Sequence, residues 1–449
     1  MNPEQLASLR RLDAAHHLHP FTDHADLHRG GTHVMQAGSG CTVSDETGRP
    51  LLDALAGLWC VNVGYGRREI ADAVHRQMLE LCYYPSFFNT TTQPAILLAD
   101  KIAAHAPAGM SKVFFSNSGS EANETALKLI RAYNKLRGLP AKTKILTRAF
   151  AYHGVTIATT SMTGLASCTQ PFDLPLPGFV QVPGPHPYGA ASSLSAGDYG
   201  KWCVEETQRV IDREGAGTIA ALFAEPVQGA GGVIVPPPGH LRELRELCRR
   251  RDILFVADEV ITGFGRLGAW FASGLWDLEP DLITMAKGIT SGYLPLGATM
   301  PSDAIAEVLS GAGYLAHGFT YSGHPVSTAA GLANLQIIED EHLVERVRSD
   351  VGPYFQRKLR ALASHPAAGE IRGEGLIGAI DLLPEAGRAA LKTPPVLGAA
   401  AAAMAREEGV IVRGIRDLIA MSPPLVITHE EIDFMFAAIA RVMDRIGAV

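Results

Sequence analysis

Ile253-Leu-Phe-Val-Ala-Asp258-Glu259 and Asp281-Leu-Ile-Thr-Met-Ala-Lys287-Gly288 are two short apolar runs, each closing near a charged residue, with Asp258 and Lys287 29 positions apart. Apolar runs of this length, bounded by polar residues, read as strands buried on both faces. In open parallel sheets ligands gather outside the carboxyl ends of the strands, which is where Asp258 and Lys287 fall. An isolated Asp–Lys pair is more often a structural ion pair, so the rest of the chain has to decide what this one does.

Working outward, residues 113–116, 144–147 and 219–224 read as further buried strands, and residues 121–136 and 241–250 as helices between them. Such alternation predicts an α/β fold with a mostly parallel central sheet covered on both faces. The N-terminal 55 residues differ, with a short hairpin expected at 38–48. Beyond residue 325 a long helix is expected at 329–349. The alanine run at 399–403 also reads as helix, because alanine has the highest helix propensity. The expected division is 1–55 as the N-terminal part of a small lobe, 56–325 as the large domain and 326–449 as the C-terminal part of the small lobe. The Pro-, Gly- and Ser-rich stretch 183–200 is expected to be a surface loop.

Three motifs surround the pair. In Val113-Phe-Phe-Ser-Asn-Ser-Gly-Ser-Glu-Ala-Asn-Glu124 a strand meets a Gly/Ser turn and a helix begins at once. Ser118 and Glu121 have capping-box spacing, and Gly119 with Ser120 would expose backbone N–H groups as an anion cradle. Taken alone, this is more often an ordinary capped helix. Tyr152, in Ala151-Tyr-His-Gly154, can stack on a flat heteroaromatic ring, although a packed core tyrosine is the commoner reading. Asp258 and Lys287 supply a carboxylate and an amine. That set suits pyridoxal phosphate, which needs an amine for its carbonyl, a carboxylate for its ring nitrogen and a phosphate site. Gly263-Phe-Gly-Arg-Leu-Gly268 fits the dinucleotide fingerprint, but Glu259-Val-Ile-Thr262 separates it from the strand and no helix start follows. Nicotinamide binding, and with it a dehydrogenase, is therefore not expected.

Composition narrows the class. With 47% hydrophobic and 19% charged residues the chain is globular in type, and its net charge of −7 gives no overall pull towards nucleic acid or anionic membrane. The six cysteines show neither a C-x-x-C pair nor a metal-finger rhythm, and a reduced, cytoplasmic protein without signal peptide or membrane span is expected. His16, His17 and His19 lack a carboxylate in evident ligand spacing, and no catalytic metal is expected.

As a set, these residues resemble the class III pyridoxal-phosphate-dependent aminotransferases, in particular the omega-transaminase branch that uses pyruvate as amino acceptor. The resemblance runs from Leu12-Asp-Ala-Ala-His-His-Leu-His-Pro-Phe21 to Ser422-Pro-Pro-Leu425. It includes Leu58-Trp-Cys-Val-Asn-Val-Gly-Tyr-Gly66, Ser116-Asn-Ser-Gly-Ser-Glu-Ala-Asn123, Tyr152-His-Gly154, Glu225-Pro-Val-Gln-Gly-Ala-Gly-Gly232, Asp258-Glu-Val-Ile-Thr-Gly-Phe-Gly-Arg266, Ala286-Lys-Gly288 and His317-Gly-Phe-Thr-Tyr-Ser-Gly-His-Pro325. It implies the fold type I architecture of such transferases. It further implies that Lys287 carries the cofactor covalently, Asp258 pairs with the pyridine nitrogen, and Tyr152 and Val260 sandwich the ring. Gly119 and Ser120 would hold the phosphate, joined by Phe319 and Thr320 of a partner subunit, with Gln228 near the ring oxygen and Glu225 supporting the site. A homodimer is then the minimum active form, and pairing of dimers into tetramers stays open.

For the substrate, the resemblance implies a pocket walled by Trp59, Phe87 or Phe88, and Tyr152, with Arg413 binding a carboxylate. The expected reaction passes an amino group from an amine or ω-amino acid to pyruvate, giving an aldehyde or ketone plus alanine by a ping-pong cycle. A narrower β-alanine, taurine or 4-aminobutyrate:pyruvate aminotransferase is the alternative, and an aminomutase or decarboxylase a distant one. The chain departs from the family where Arg416-Asp417 replaces a usual Gly-Asp. Arg416 is expected either to pair with an acidic neighbour at the surface or to add a second positive charge at the pocket mouth.

Overall fold

The computed structural model describes residues 1–186, 194–383 and 397–447. After two helices, Pro3–His16 and His24–Gly30, come three strands: β1 (Ala37–Ser39), β2 (Thr42–Ser44) and β3 (Pro50–Asp53). The central sheet follows with β4 (Phe114–Ser116), β5 (Lys144–Arg148), β6 (Phe179–Val182), β7 (Ile219–Ala224), β8 (Leu254–Asp258), β9 (Leu282–Met285) and β10 (Gly297–Pro301). Last come β11 (Ala368–Glu374), β12 (Ile377–Leu382), β13 (Val410–Ile411), β14 (Arg413–Ile415) and β15 (Leu418–Met421).

The central sheet runs β4-β10-β9-β8-β7-β5-β6. Strands β9, β8, β7, β5 and β6 pair parallel in that order, whereas β10 lies antiparallel to both β9 and β4. Every residue of β7, β8 and β9 is buried, which accounts for their unbroken apolar sequence. Helix His240–Arg250 covers the sheet with Leu241, Leu244, Leu247 and Cys248, the spacing of one helical face.

Outside this sheet, β13 pairs parallel with β3, so a strand from near the C-terminus closes the N-terminal sheet β1-β2-β3-β13. Strands β11, β12, β15 and β14 form an antiparallel sheet. A buried arginine ties the turn after β8 to segments far along the chain. Arg266 donates to the carbonyls of Leu376 and Pro423 and to Asn62 Oδ1, and Gly375 approaches so closely that a Cβ there would lie 2.6 Å from Leu267 Cα. The glycines of 263–268 thus serve a tight turn against the C-terminal part of the chain. The next helix is only Ala272–Leu275, so the anion-binding helix of a dinucleotide site does not follow the turn.

Two expectations need correction. Ser195 caps a helix at Ala196–Glu214, so the 183–200 stretch ends as a loop earlier than composition implies, and its residues 187–193 lie outside the described ones. The expected helix 329–349 is interrupted: Pro325–Asp340 ends, His342 takes φ 50°, and a new helix starts at Leu343. Short charged residues at Glu339-Asp-Glu-His342 satisfy helix periodicity by composition but cannot show that one residue is left-handed.

Candidate active site

The register of the parallel strands assembles the site. Asp258, the last residue of β8, stands opposite Thr284 in β9, and Lys287 follows three residues later at the same sheet edge. The loop after β5 delivers Tyr152 and His153, and the end of β4 leads to Gly119 and Ser120. Together with Asn123, Gly154, Glu225, Val260, Ile261 and Ala286 these residues line a cavity of about 150 Å³.

Asp258 is held with unusual completeness. Its Oδ2 accepts from Asn123 Nδ2 at 2.8 Å and faces His153 Nδ1 at 2.7 Å, and its Oδ1 accepts from the Val260 amide at 3.1 Å. The carboxylate is acceptor-only when ionised, so the His153 tautomer with hydrogen on Nδ1 fits. Asn123 is itself fixed, since its Oδ1 accepts from Thr284 Oγ1 at 2.9 Å and its Nδ2 also reaches the His153 carbonyl at 2.8 Å. Oδ1 keeps lone-pair capacity for a cationic ring nitrogen. Neither Asn123 nor His153 was given a role by sequence reasoning. Both lie inside quoted motifs, but strand register alone brings them to Asp258.

Lys287 adopts φ 45° just beyond β9. Burial lowers its pKa below the ordinary lysine value, with Asp258 and Glu225 opposing that shift. An amine with a depressed pKa is a better nucleophile and a better proton acceptor near neutrality. Glu225 shapes the opposite wall, its Oε1 accepting from the Tyr152 amide at 2.9 Å and Oε2 from the Gly229 amide at 3.0 Å. Burial raises its pKa, as does the nearby Asp258, while His153, the Tyr152 amide and Arg148 favour the charged form. Gln228 stands behind this wall, donating from Nε2 to the Ala149 carbonyl at 2.9 Å, and its buried Oε1 has no donor among the described residues.

The anion cradle has the expected form with one change. Ser118 Oγ accepts from the Glu121 amide at 3.2 Å, but Glu121 turns its carboxylate to the backbone and side-chain amides of Asn117, each at 2.7 Å. Gly119 and Ser120 contribute first-turn N–H groups that no helical carbonyl reaches. A Cβ on Gly119 would sit 3.1 Å from both Val260 methyls, and one on Gly154 only 2.6 Å from Ser120 Oγ. Glycine therefore keeps the space between the cradle and the ring wall open. A helix-start anion cradle, a buried and oriented carboxylate, a desolvated amine and facing walls from Tyr152 and Val260 fit pyridoxal phosphate.

The remaining expected residues divide. Trp59 is buried with φ 63°, in an apolar cluster with Val227 and Ile261, and Ile261 lines the cavity. Arg413 opens β14, and its charge is felt by both Tyr152 and Lys287. Burial lowers its pKa, and its buried Nε has no hydrogen-bond partner among the described residues. Phe87, Phe88, Phe319 and Thr320 do not line this cavity. Phe87 instead lies against Gly318, where a Cβ would come within 2.5 Å of its ring, and Phe88 is 82% exposed. Within one chain they form a separate patch. Arg416 donates to the Gly231 carbonyl at 2.7 Å and lies over the Phe150 ring at 5.3 Å, so it braces the 229–232 loop as well as carrying charge.

Comparison with known proteins agrees with this geometry. Residues 27–443 match the aminotransferase class-III family. The putrescine–pyruvate aminotransferase of Pseudomonas aeruginosa is 42% identical over 437 residues, covering 97% of this chain and 96% of that one. An (S)-enantioselective omega-transaminase from Thermomicrobium roseum superposes with a TM-score of 0.93 at 42% identity over 98% of both chains. The omega-transaminase from Pseudomonas jessenii in complex with PMP gives a TM-score of 0.94 at 39% identity, again over 98% of both. Sequence, sheet topology and the cavity built around Asp258 and Lys287 thus converge, and the chain belongs to the class III aminotransferases, fold type I enzymes that work with pyridoxal phosphate.

Proposed function

We propose that this enzyme is an omega-transaminase that moves the amino group of an amine or ω-amino acid to pyruvate, releasing an aldehyde or ketone and alanine. The observation that carries the reading is Arg413, a largely buried guanidinium whose Nε has no partner among the described residues and whose charge acts on Tyr152 and Lys287 of the cavity. A planar fork of this kind suits the carboxylate of pyruvate. The similarity to the putrescine–pyruvate enzyme supports the same acceptor.

When bound, pyridoxal phosphate supplies the carbonyl that takes up the amino group and the electron sink that makes the substrate C–H acidic. The protein does the rest. Asp258, oriented by Asn123 and His153, holds a proton on the ring nitrogen. Lys287 Nζ would hold the cofactor's carbonyl carbon and, with its pKa lowered by burial, would serve as the base that moves the substrate's proton. Tyr152 and Val260 would hold the ring between them, and Arg413 would orient the acceptor's carboxylate. In the second half of the cycle the same groups run in reverse, as microscopic reversibility requires.

The active form in this reading is a homodimer. Phe87, Phe88, Phe319 and Thr320 lie together but away from the cavity of their own chain, which supports their completing the phosphate and substrate walls of a second subunit. Six free cysteines fit a reducing, cytoplasmic setting. Among the described residues no helix is long and apolar enough to cross a membrane.

The test is a two-substrate assay in which alanine formation from pyruvate is followed with a carboxyl-free arylalkylamine, putrescine, β-alanine, taurine and 4-aminobutyrate. Alanine from the carboxyl-free amines at rates comparable to the acids supports the broad reading. Turnover confined to the acids moves the assignment to the narrower ω-amino acid enzyme. Consumption of donor without alanine contradicts transamination to pyruvate and points to aminomutase or decarboxylase chemistry.

A further inference from the structure

The end of the first helix gathers three metal-ligating side chains that the reaction does not use. Helix Pro3–His16 places Asp13 one turn before His17, which caps the helix with φ −112°. The chain then leaves the helix and brings His19 back to the same carboxylate. His17 Nδ1 lies 3.1 Å from Asp13 Oδ1, and His19 Nε2 lies 2.9 and 3.0 Å from Asp13 Oδ1 and Oδ2. The two imidazoles face each other at 4.1 Å between centroids, and one ligand atom from each of the three residues falls within 4.8 Å of the others.

These distances are close to those of a coordination shell. Around a tetrahedral ion with bonds of about 2.0–2.1 Å, ligand atoms stand roughly 3.3 Å apart. Both carboxylate–imidazole edges are within a few tenths of that length, so an ion would replace two hydrogen bonds with little backbone movement. Asp13 and His19 are mostly buried and therefore pre-positioned, at 19% side-chain exposure each, whereas His17 at 61% leaves an open side for entry and for water as a further ligand. Two imidazoles and a carboxylate form a set that suits zinc and its first-row neighbours rather than calcium or magnesium.

We propose that Asp13, His17 and His19 form a binding site for one divalent transition-metal ion of the zinc type, outside the reaction centre. None of the three lines the Lys287 cavity. The ion would fix the direction in which the chain leaves the first helix and so orient Leu18 and Phe21, which are 82% and 77% exposed. The sequence does not show the carboxylate plainly because Asp13 precedes His17 by four residues, a spacing that becomes a contact on a helix, and His19 by six, which meets it only after the chain leaves the helix.

The test is calorimetric titration of the untagged, cofactor-loaded enzyme with Zn²⁺, together with the His17→Ala/His19→Ala double variant and Asp13→Asn. The expected result is one saturable equivalent per chain, weakened in both variants by more than about tenfold, since even loss of a residue that only supports a ligand commonly costs 10–100-fold. Circular dichroism and unchanged transamination would show that the variants are folded. Absence of saturable binding to the wild type overturns the site, as does binding of equal affinity in the double variant and Asp13→Asn, which would place the ion at other histidines.

Discussion

Replacing Asn123 with aspartate tests the Asp258 network through a sign as well as a size. In the wild type Asn123 Nδ2 donates to two acceptors, Asp258 Oδ2 at 2.8 Å and the His153 carbonyl at 2.8 Å, in a position only 1% exposed. Asn123→Asp sets a carboxylate where a donor is required. Two unit charges 2.8 Å apart would repel by roughly 6 kcal/mol at an effective dielectric of about 20. The alternative is to hold a proton between them, which for a carboxyl of ordinary pKa near 3.9 costs about 1.5 kcal/mol at pH 5 and about 5 kcal/mol at pH 7.5. Protonation is the cheaper route across this range. The folded-state pKa of the pair is therefore raised, so stability is kept below about pH 4 and lost progressively as pH rises. Thermal unfolding midpoints of variant and wild type, compared from pH 5 to 7.5, should show a gap that widens with pH. Asn123→Ala, which loses the same bonds without adding charge, should show a gap that stays constant. A pH-independent gap for Asn123→Asp would refute the arrangement of Asp258, Asn123 and His153 described above.

Arg413→Ala should raise the pyruvate requirement by about 10–150-fold, the worth of one charge-assisted hydrogen bond at 1.5–3 kcal/mol, while leaving a single half-reaction with a carboxyl-free amine within a few-fold. Equal losses in the two half-reactions would mean that the carboxylate is anchored elsewhere, with Arg416 the next residue to change. Gly119→Ala puts a methyl group 3.1 Å from both Val260 γ-carbons, and cofactor affinity measured by equilibrium dialysis should fall by at least about tenfold, whereas unchanged affinity would remove Gly119 from the cradle. Glu259 accepts from Thr262 Oγ1, Ser273 Oγ and the amides of Ala272 and Ser273, all at 2.5–3.0 Å. Glu259→Gln would turn one acceptor into a donor against these groups and should cost about 2–4 kcal/mol of stability in chemical denaturation, whereas a neutral effect would show that the buried group is already protonated.

Much of the site was legible because its residues sit at the ends of strands whose apolar runs are unmistakable. Asp258 and Lys287 could be placed from β8 and β9 alone, and Gly119 and Ser120 from the strand–turn–helix of 113–124. The supporting layer was not legible. Asn123 and His153 meet Asp258 across separations of 135 and 105 residues, and only sheet order makes them neighbours. Strands β6 and β10 were missed for a related reason. Phe179-Val-Gln-Val182 alternates and Gly297-Ala-Thr-Met-Pro301 carries Gly and Pro, so neither has the continuous apolar signature of the central strands. The same limit applies to Arg416, which stands between Ile415 and Asp417 in sequence but whose partners in space include a glycine carbonyl and a phenylalanine ring.

The most direct measurement is reductive trapping of the cofactor-loaded enzyme with borohydride, followed by peptide mapping. The geometry at the ends of β8 and β9 predicts a single phosphopyridoxyl-labelled peptide, modified at Lys287, and loss of transamination in proportion to labelling. A label on any other lysine, or full activity after Lys287 is modified, would contradict the assignment of this cavity as the reaction centre.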